Sequence, residues 1–207
     1  MKLDFHQNHK LLYGTIFTGF VILSLIIAVF PAMWVQERNE PLPDSRALTE
    51  LEQKGLNVYV SEGCMYCHTQ QVRPIDMDAV WGRPSAPGDY ARIGRQDVWR
   101  QTPAVLGSAR TGPDLSNVGN RQPSEVWHYM HLFNPRSVVG ESVMPSYPWL
   151  FEVKDDAGPD DTVITIPGDY APKQGTVVAT EKAEALVAYL LSLKQVKLES
   201  GETADAR

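Results

Sequence analysis

Cys64 and Cys67 stand three positions apart, and His68 follows the second directly, in the stretch Cys64-Met65-Tyr66-Cys67-His68. Two thiols at this separation can each add to one vinyl group of the same porphyrin. A histidine directly after them can present its imidazole to the iron beneath that ring. C-x-x-C-H is the pattern of c-type haem attachment. The same residues also allow a disulfide, a thioredoxin-like redox pair or half of a zinc site. A zinc site wants two further Cys or His ligands at short spacing, and the sequence offers none; a redox pair has no use for His68. The reading is one covalently bound haem c, held by Cys64 and Cys67 with His68 on the iron. The single motif limits the chain to one such group.

An iron held by one histidine takes a sixth ligand or keeps an open position. Met65, Met77, Met130, Met144, His128 and His131 are the candidates. Met65 lies inside the attachment loop and cannot swing to the opposite haem face. Met77 is nine residues past His68, too near to wrap around the ring. Met130, His128 and His131 fall on a short helical pattern that begins with Pro123 and stops at Asn134-Pro135. Trp127, Met130 and His131 share a face there, and that face is expected to pack against the haem edge. Met144 lies in Val143-Met144-Pro145-Ser146-Tyr147-Pro148. An extended, proline-braced loop can carry a thioether across the ring, and Met144 is the expected sixth ligand. A thioether favours Fe(II), so a His/Met pair raises the reduction potential. With both axial positions filled, oxygen and peroxide have nowhere to bind, which points to an electron carrier.

Between the two ligands runs Arg110-Thr111-Gly112-Pro113-Asp114-Leu115. Gly112 permits close backbone approach to a ring. Pro113 has a carbonyl and no N–H, so it can accept a hydrogen bond from the far nitrogen of His68, fixing the tautomer of the ligand. Arg73, Arg95, Arg110, Trp99 and Tyr147 are candidate partners for haem propionates.

The elements that must position these residues follow from periodicity and caps. Asp44 or Ser45 is expected to cap a helix carrying Leu48, Leu51, Gly55, Val58 and Tyr59 inward and ending near Glu62-Gly63. Thr180 is expected to cap a last helix, with Glu181 and Glu184 in its first turn and Ala183, Leu186, Val187, Leu190 and Leu191 as its apolar stripe. Ahead of both, Leu11 to Gln36 is a run of 26 residues without a charged side chain. About 20 residues of helix span a bilayer core. Tyr13 and Trp34 sit near its two ends, as interfacial aromatics do, and Pro31 marks a place where the helix can bend or stop. The run exceeds the apolar stretch of a cleavable signal, and Pro31-Ala32-Met33-Trp34 is a poor cleavage context. Lys2 and Lys10 precede it, which keeps the N-terminus cytoplasmic and sends the bulk of the chain outward.

Composition agrees. The chain has 207 residues, 43% hydrophobic and 21% charged, which excludes wholesale disorder and a multi-spanning protein. A net charge of -6 with no basic stripe excludes a nucleic-acid partner. Fifteen Pro and fifteen Gly suit a loop-rich fold wrapped around a cofactor.

The order helix, haem motif, glycine-proline loop, short helix, methionine loop, amphipathic last helix resembles the class I cytochrome c fold from about Ser45 to Lys194. The resemblance implies a mainly α fold in which the first and last helices of the domain cross. A closer resemblance rests on GCMYCHTQQVRP, on YARIGRQDVWRQTPAVLGSARTGPDLSNVG, on ESVMPSYPWLF and on the single N-terminal anchor. These are similar to the monohaem subunit of cbb3-type cytochrome c oxidase, over nearly the whole chain. That family implies a catalytic haem-copper subunit and a dihaem cytochrome c subunit as partners, with His68 and Met144 as axial ligands. It also implies electron flow from the dihaem subunit toward the catalytic one. The expected organisation is a cytoplasmic N-terminus at 1–10, a transmembrane anchor at 11–35 in the lipid bilayer, a linker at 36–44 and a periplasmic cytochrome c domain with loop insertions at 45–207. The 35 residues from Pro145 to Ala179 are expected as one such insertion, a long loop covering a partner or standing in solvent. An anchored shuttle, or the cytochrome subunit of a nitric oxide reductase, is the nearest competing function. A haem peroxidase or gas sensor needs an open iron site, which a Met144 ligand removes.

Overall fold

A computed structural model describes residues 4–38, 46–90 and 105–196. It opens on the apolar run. Helix α1 (His9–Ser24) starts at Asn8, whose side chain accepts the amide of Leu11 at 3.1 Å. It passes through a wider π turn (Leu25–Val29) into α2 (Phe30–Arg38). His9–Val35 is long and apolar enough to cross a membrane, and none of that stretch is buried against the rest of the chain. Pro31 does not stop this helix, which runs on to Arg38, and the π turn lies directly ahead of it. In a regular α-helix the proline ring meets the carbonyl four residues earlier. Here the Phe30 amide already reaches back five residues to Leu25, which opens that turn.

Helix α3 (Glu50–Ser61) begins later than its sequence signals suggested. Asp44 and Ser45 lie outside the described residues, and the cap is Thr49 in a capping box with Glu52. Glu52 is also gripped by Arg46 at 2.6 and 2.5 Å. The Arg46 fork and the Thr49 amide bring its carboxyl down to about 2, against the cost of burial. Gly55, Leu56, Val58 and Tyr59 face inward.

They meet α6 (Glu181–Ser192), which starts at Thr180 as expected and buries Ala183, Ala185, Leu186, Val187, Tyr189 and Leu190. The two helices cross at Gly55, where a Cβ would overlap the Ala185 carbonyl and stand 2.7 Å from the Tyr189 Cβ. Tyr59 and Tyr189 pack beside the crossing with ring centroids 5.5 Å apart. The short α4 (Val118–Arg121) sits on the end of α6, its Gly119 amide bonded to the Leu193 carbonyl at 2.9 Å. Helix α5 (Glu125–Phe133) is capped by Ser124, two residues later than a start at Pro123 would place it, and ends at Asn134. Its buried residues are His128, Tyr129 and Leu132.

The segment between the methionine loop and α6 is not simply a loop. It holds β1 (Phe151–Lys154), β2 (Val163–Ile164) and β3 (Thr176–Ala179), antiparallel in the order β1-β3-β2. Phe151 pairs with Ala179, and Val163 with Val178. Phe151, Ile164, Ile166 and Val177 join the same core as the helices, and Phe151 meets Phe133 of α5 edge to face at 5.4 Å. Asp155, Asp156 and Asp160 are exposed as expected, whereas Asp161 folds back onto Lys154 at 2.8 Å and accepts the Gly158 amide. The fold remains mainly α, with one apolar N-terminal helix followed by a helical domain that carries this small sheet.

Candidate haem site

The C-x-x-C-H stretch begins where α3 ends. Gly63, at φ 73°, turns the chain out of the helix in a left-handed conformation that suits glycine. A 3-10 turn over Cys64–Tyr66 follows, and the amides of Cys67 and His68 both bond the Cys64 carbonyl, at 3.2 and 3.0 Å. This turn sets both sulfurs and the imidazole within one loop. Cys64 is half-buried and its thiol is pushed up to about 12 by burial, so it is a protonated thiol at neutral pH. Cys67 is exposed.

His68 is held from behind. Its Nδ1 lies 2.8 Å from the Pro113 carbonyl, which can only accept, so the ring carries its proton there and leaves Nε2 as the free lone pair. Burial lowers the His68 pKa, and the Pro113 carbonyl only partly offsets it. The neutral imidazole is the form that binds a metal. Gly112 lies flat against the ring: a Cβ there would overlap Cε1 and stand 2.8 Å from Nδ1 and 2.9 Å from Nε2. The Gly112 amide bonds the Cys67 carbonyl at 2.9 Å.

The next residue, Asp114, is fully buried and ties this loop to the one after His68. It accepts the Thr69 hydroxyl at 2.6 Å, the Gln71 amide at 2.8 Å and the Ser116 amide at 2.8 Å. Arg110 donates to the Thr69 hydroxyl and to buried Asp78. Arg73 closes on Asp78 from the other side at 3.0 Å, and with Arg110 it holds that carboxyl far below the usual range against desolvation. Arg73 and Arg110, read from the sequence as candidate propionate partners, both bind Asp78 here and do not line the cavity described next. Arg95 and Trp99 lie outside the described residues.

One cavity brings the sequence candidates together. Cys64, His68, Pro113 and Met144 line it, with Leu115, Val118, Leu132, Leu186 and Leu190 as apolar wall. Met144 reaches it from a loop tied to α5, where the Tyr147 amide bonds the Leu132 carbonyl at 2.9 Å. Of the other sixth-ligand candidates, Met77 is 72% exposed and Met65 and Met130 pack on the core. His128 lines the cavity, but its Nε2 meets the Gln122 carbonyl at 2.8 Å. His131 lines it too, stacked on Trp127 at 4.5 Å, with its pKa lowered to about 4 by burial and by the nearby His128 and His68. Tyr147 stands near both cysteines, and burial raises it to about 12. Arg121 is a wall residue that sequence reasoning missed. It donates to the Asp114 carbonyl, and burial lowers its pKa. Arg121 stands just ahead of the helical pattern read from Pro123, and nothing in the sequence pointed it at this cavity.

These features suit a haem. The wall is apolar, His68 and the Met144 thioether line the same space, and a glycine has made room for the imidazole. His131 Nδ1 is buried without a partner among the described residues, a polar atom left for something that fills the cavity. Among curated proteins, no sequence matches the chain. The family model for the cytochrome c oxidase mono-heme subunit, FixO, matches residues 5–166, and with that span the chain belongs to the mono-haem subunit family of cytochrome c oxidase, as a haem-binding component of an oxidase complex that includes a catalytic subunit.

Proposed function

We propose that this chain is the membrane-anchored electron-transfer subunit of a cbb3-type oxidase, carrying one haem c through thioethers to Cys64 and Cys67. The single observation that carries the reading is the shared cavity in which Cys64, His68 and Met144 meet. When bound, the haem supplies a one-electron Fe(III)/Fe(II) couple. His68 Nε2 and the Met144 sulfur would hold its iron. Pro113 fixes the His68 tautomer and orientation through Nδ1, as outer-shell acceptors of metal-bound histidines do. The apolar wall keeps water from the iron, and the thioether favours the reduced state. With the iron held by two side chains of this chain, no position would be left for oxygen, and the subunit would pass electrons without itself reducing oxygen.

The organisation follows: residues 1–10 cytoplasmic, 11–35 the anchor in a bacterial inner membrane, 36–44 a linker and 45–207 the periplasmic haem domain. Lys2 and Lys10, at the N-terminal end of the apolar run, support this orientation, and so does cytochrome c maturation outside the cytoplasmic membrane. Electrons enter from a dihaem cytochrome c subunit and leave toward the haem-copper catalytic subunit. The test is oxygen uptake by membranes with and without this chain, in a strain with no other active oxidase, together with co-purification of a copper-containing membrane subunit. Loss of donor-driven uptake and recovery on re-expression is the expected result. Unchanged uptake would leave an anchored shuttle as the better account.

A further inference from the structure

Two histidines three positions apart on α5 line the same cavity, and the chain treats them differently. His128 is 3% exposed and its Nε2 is met by the Gln122 carbonyl at 2.8 Å. His131 has no such partner: its Nδ1 is buried and unbonded among the described residues. A buried polar atom left unpaired is costly, so a partner gained when the cavity fills is favourable. The ring is not free to turn away in search of one. Trp127 stacks on it at 4.5 Å with 11° between the planes, four residues earlier on the same helix face.

We propose that His131 is a positioning residue on the sixth-ligand side of the haem pocket, donating a hydrogen bond from Nδ1 to the thioether of Met144. The inference rests on the haem and Met144 ligation put forward above. Three observations select Met144 among the acceptors that line the cavity. His68 is engaged through Nδ1 with Pro113 and keeps Nε2 for the iron. Cys64 is taken by the porphyrin. The Met144 loop is pinned beside His131, because the Tyr147 amide bonds the carbonyl of Leu132, the next residue on α5. A carboxylate of the haem is the rival acceptor, but the same cavity already offers it the Arg121 guanidinium, which suits carboxylates better. A thioether sulfur accepts weakly. A donor aimed at it draws electron density from the ligand, stabilises Fe(II) over Fe(III) and holds one sulfur lone pair toward the iron.

The experiment compares wild type, His131→Phe, His131→Gln and Trp127→Leu as full-length chains in the purified, haem-loaded oxidase complex. It reads the haem c reduction potential, the sulfur-to-Fe(III) charge-transfer band and thermal unfolding. His131→Phe is expected to shift the band and move the redox equilibrium about fivefold toward the ferric form, ~41 mV for one electron. His131→Gln keeps a donor and should recover most of both shifts. Trp127→Leu loosens the ring and should give a smaller change of the same sign. An unmoved band and potential in His131→Phe would overturn the inference, as would equal shifts in Phe and Gln. A moved potential with an unmoved band would also overturn it, by making a propionate the acceptor. Met144→Ala in the same preparation separates the two levels: a band that survives it removes Met144 as ligand and with it the ligation above, whereas a band lost in Met144→Ala and untouched in His131→Phe removes only the role of His131.

Discussion

On the His68 side of the cavity the chain is tied to itself by hydrogen bonds. Pro113 holds the imidazole, Gly112 holds Cys67, and buried Asp114 and Asp78 collect Thr69, Gln71, Ser116, Arg110 and Arg73 into one network. On the Met144 side the ties are few. Met144 is held by its packing on the core, by the Tyr147 amide on Leu132, and by long bonds of 3.3 Å to Ser142 and 3.4 Å from Arg136. One side fixes its ligand through directional bonds that tolerate little displacement. The other fixes its ligand through apolar contacts that tolerate a good deal. A planar imidazole needs a set tautomer and angle, whereas a thioether on a three-torsion stem finds its own bond once it is near.

Three variants test this difference and a fourth probes the chain away from it, and the most severe removes the attachment of the group on which both sides close. Cys64→Ala with Cys67→Ala is expected to abolish all haem that survives denaturing gel electrophoresis; a haem-stained band at 23.1 kDa would refute covalent attachment. Next is Gly112→Ala, which places a methyl group against the His68 ring. Loss of low-spin ligation and a destabilisation of about 1–3 kcal/mol are expected, read by absorption and denaturant midpoint. A variant with unchanged spectrum and midpoint would mean that the His68 side is as yielding as the other. Met144→His should be tolerated: a low-spin haem is kept and its potential falls, since imidazole supports Fe(III) better than a thioether does. Failure to bind a sixth ligand in that variant would show the Met144 side to be as exacting as the His68 side. The smallest effect is expected away from both, at the start of α3. Arg46 and Thr49 depress Glu52 to about 2 from 4.5. A depressed carboxylate stabilises fully above its unfolded pKa and loses that contribution as pH falls through its folded pKa. With Arg46 largely exposed and the Thr49 bonds retained, we expect a gap of at most about 1 kcal/mol between wild type and Arg46→Ala at neutral pH, closing as pH falls from about 4.5 to about 2. Parallel acid unfolding curves would contradict it.

The His68 side was legible in the sequence because its pieces are local signals. A C-x-x-C-H turn and a glycine-proline pair each specify their own backbone, and the acceptor role of Pro113 follows from its missing N–H. The outer helices were legible too, since Gly55 and the α6 stripe follow helical spacing. What was not legible depended on long-range choices. Arg73 and Arg110 read as free cations because Asp78 shows its buried position only in three dimensions. The sheet between Met144 and Thr180 was hidden because its strands are two to four residues long and are separated by Pro, Gly and Asp. The sequence reading places the cap of α3 at Asp44 or Ser45 and passes over Thr49, which has Glu52 three residues on to complete a capping box. The orphaned nitrogen of His131 belongs to a helix face that reads as ordinary core.

The π turn at Leu25–Val29 changes what the apolar helix presents sideways. An α-helix advances about 100° per residue, and a π turn inserts one residue into that count. The stripe of side chains on α1 therefore does not run on into α2; it resumes about a quarter turn around the axis. Tyr13 and Trp34 stand on opposite sides of this step. A straight neighbouring helix that follows one stripe must leave the other, so the two halves of this helix face different neighbours.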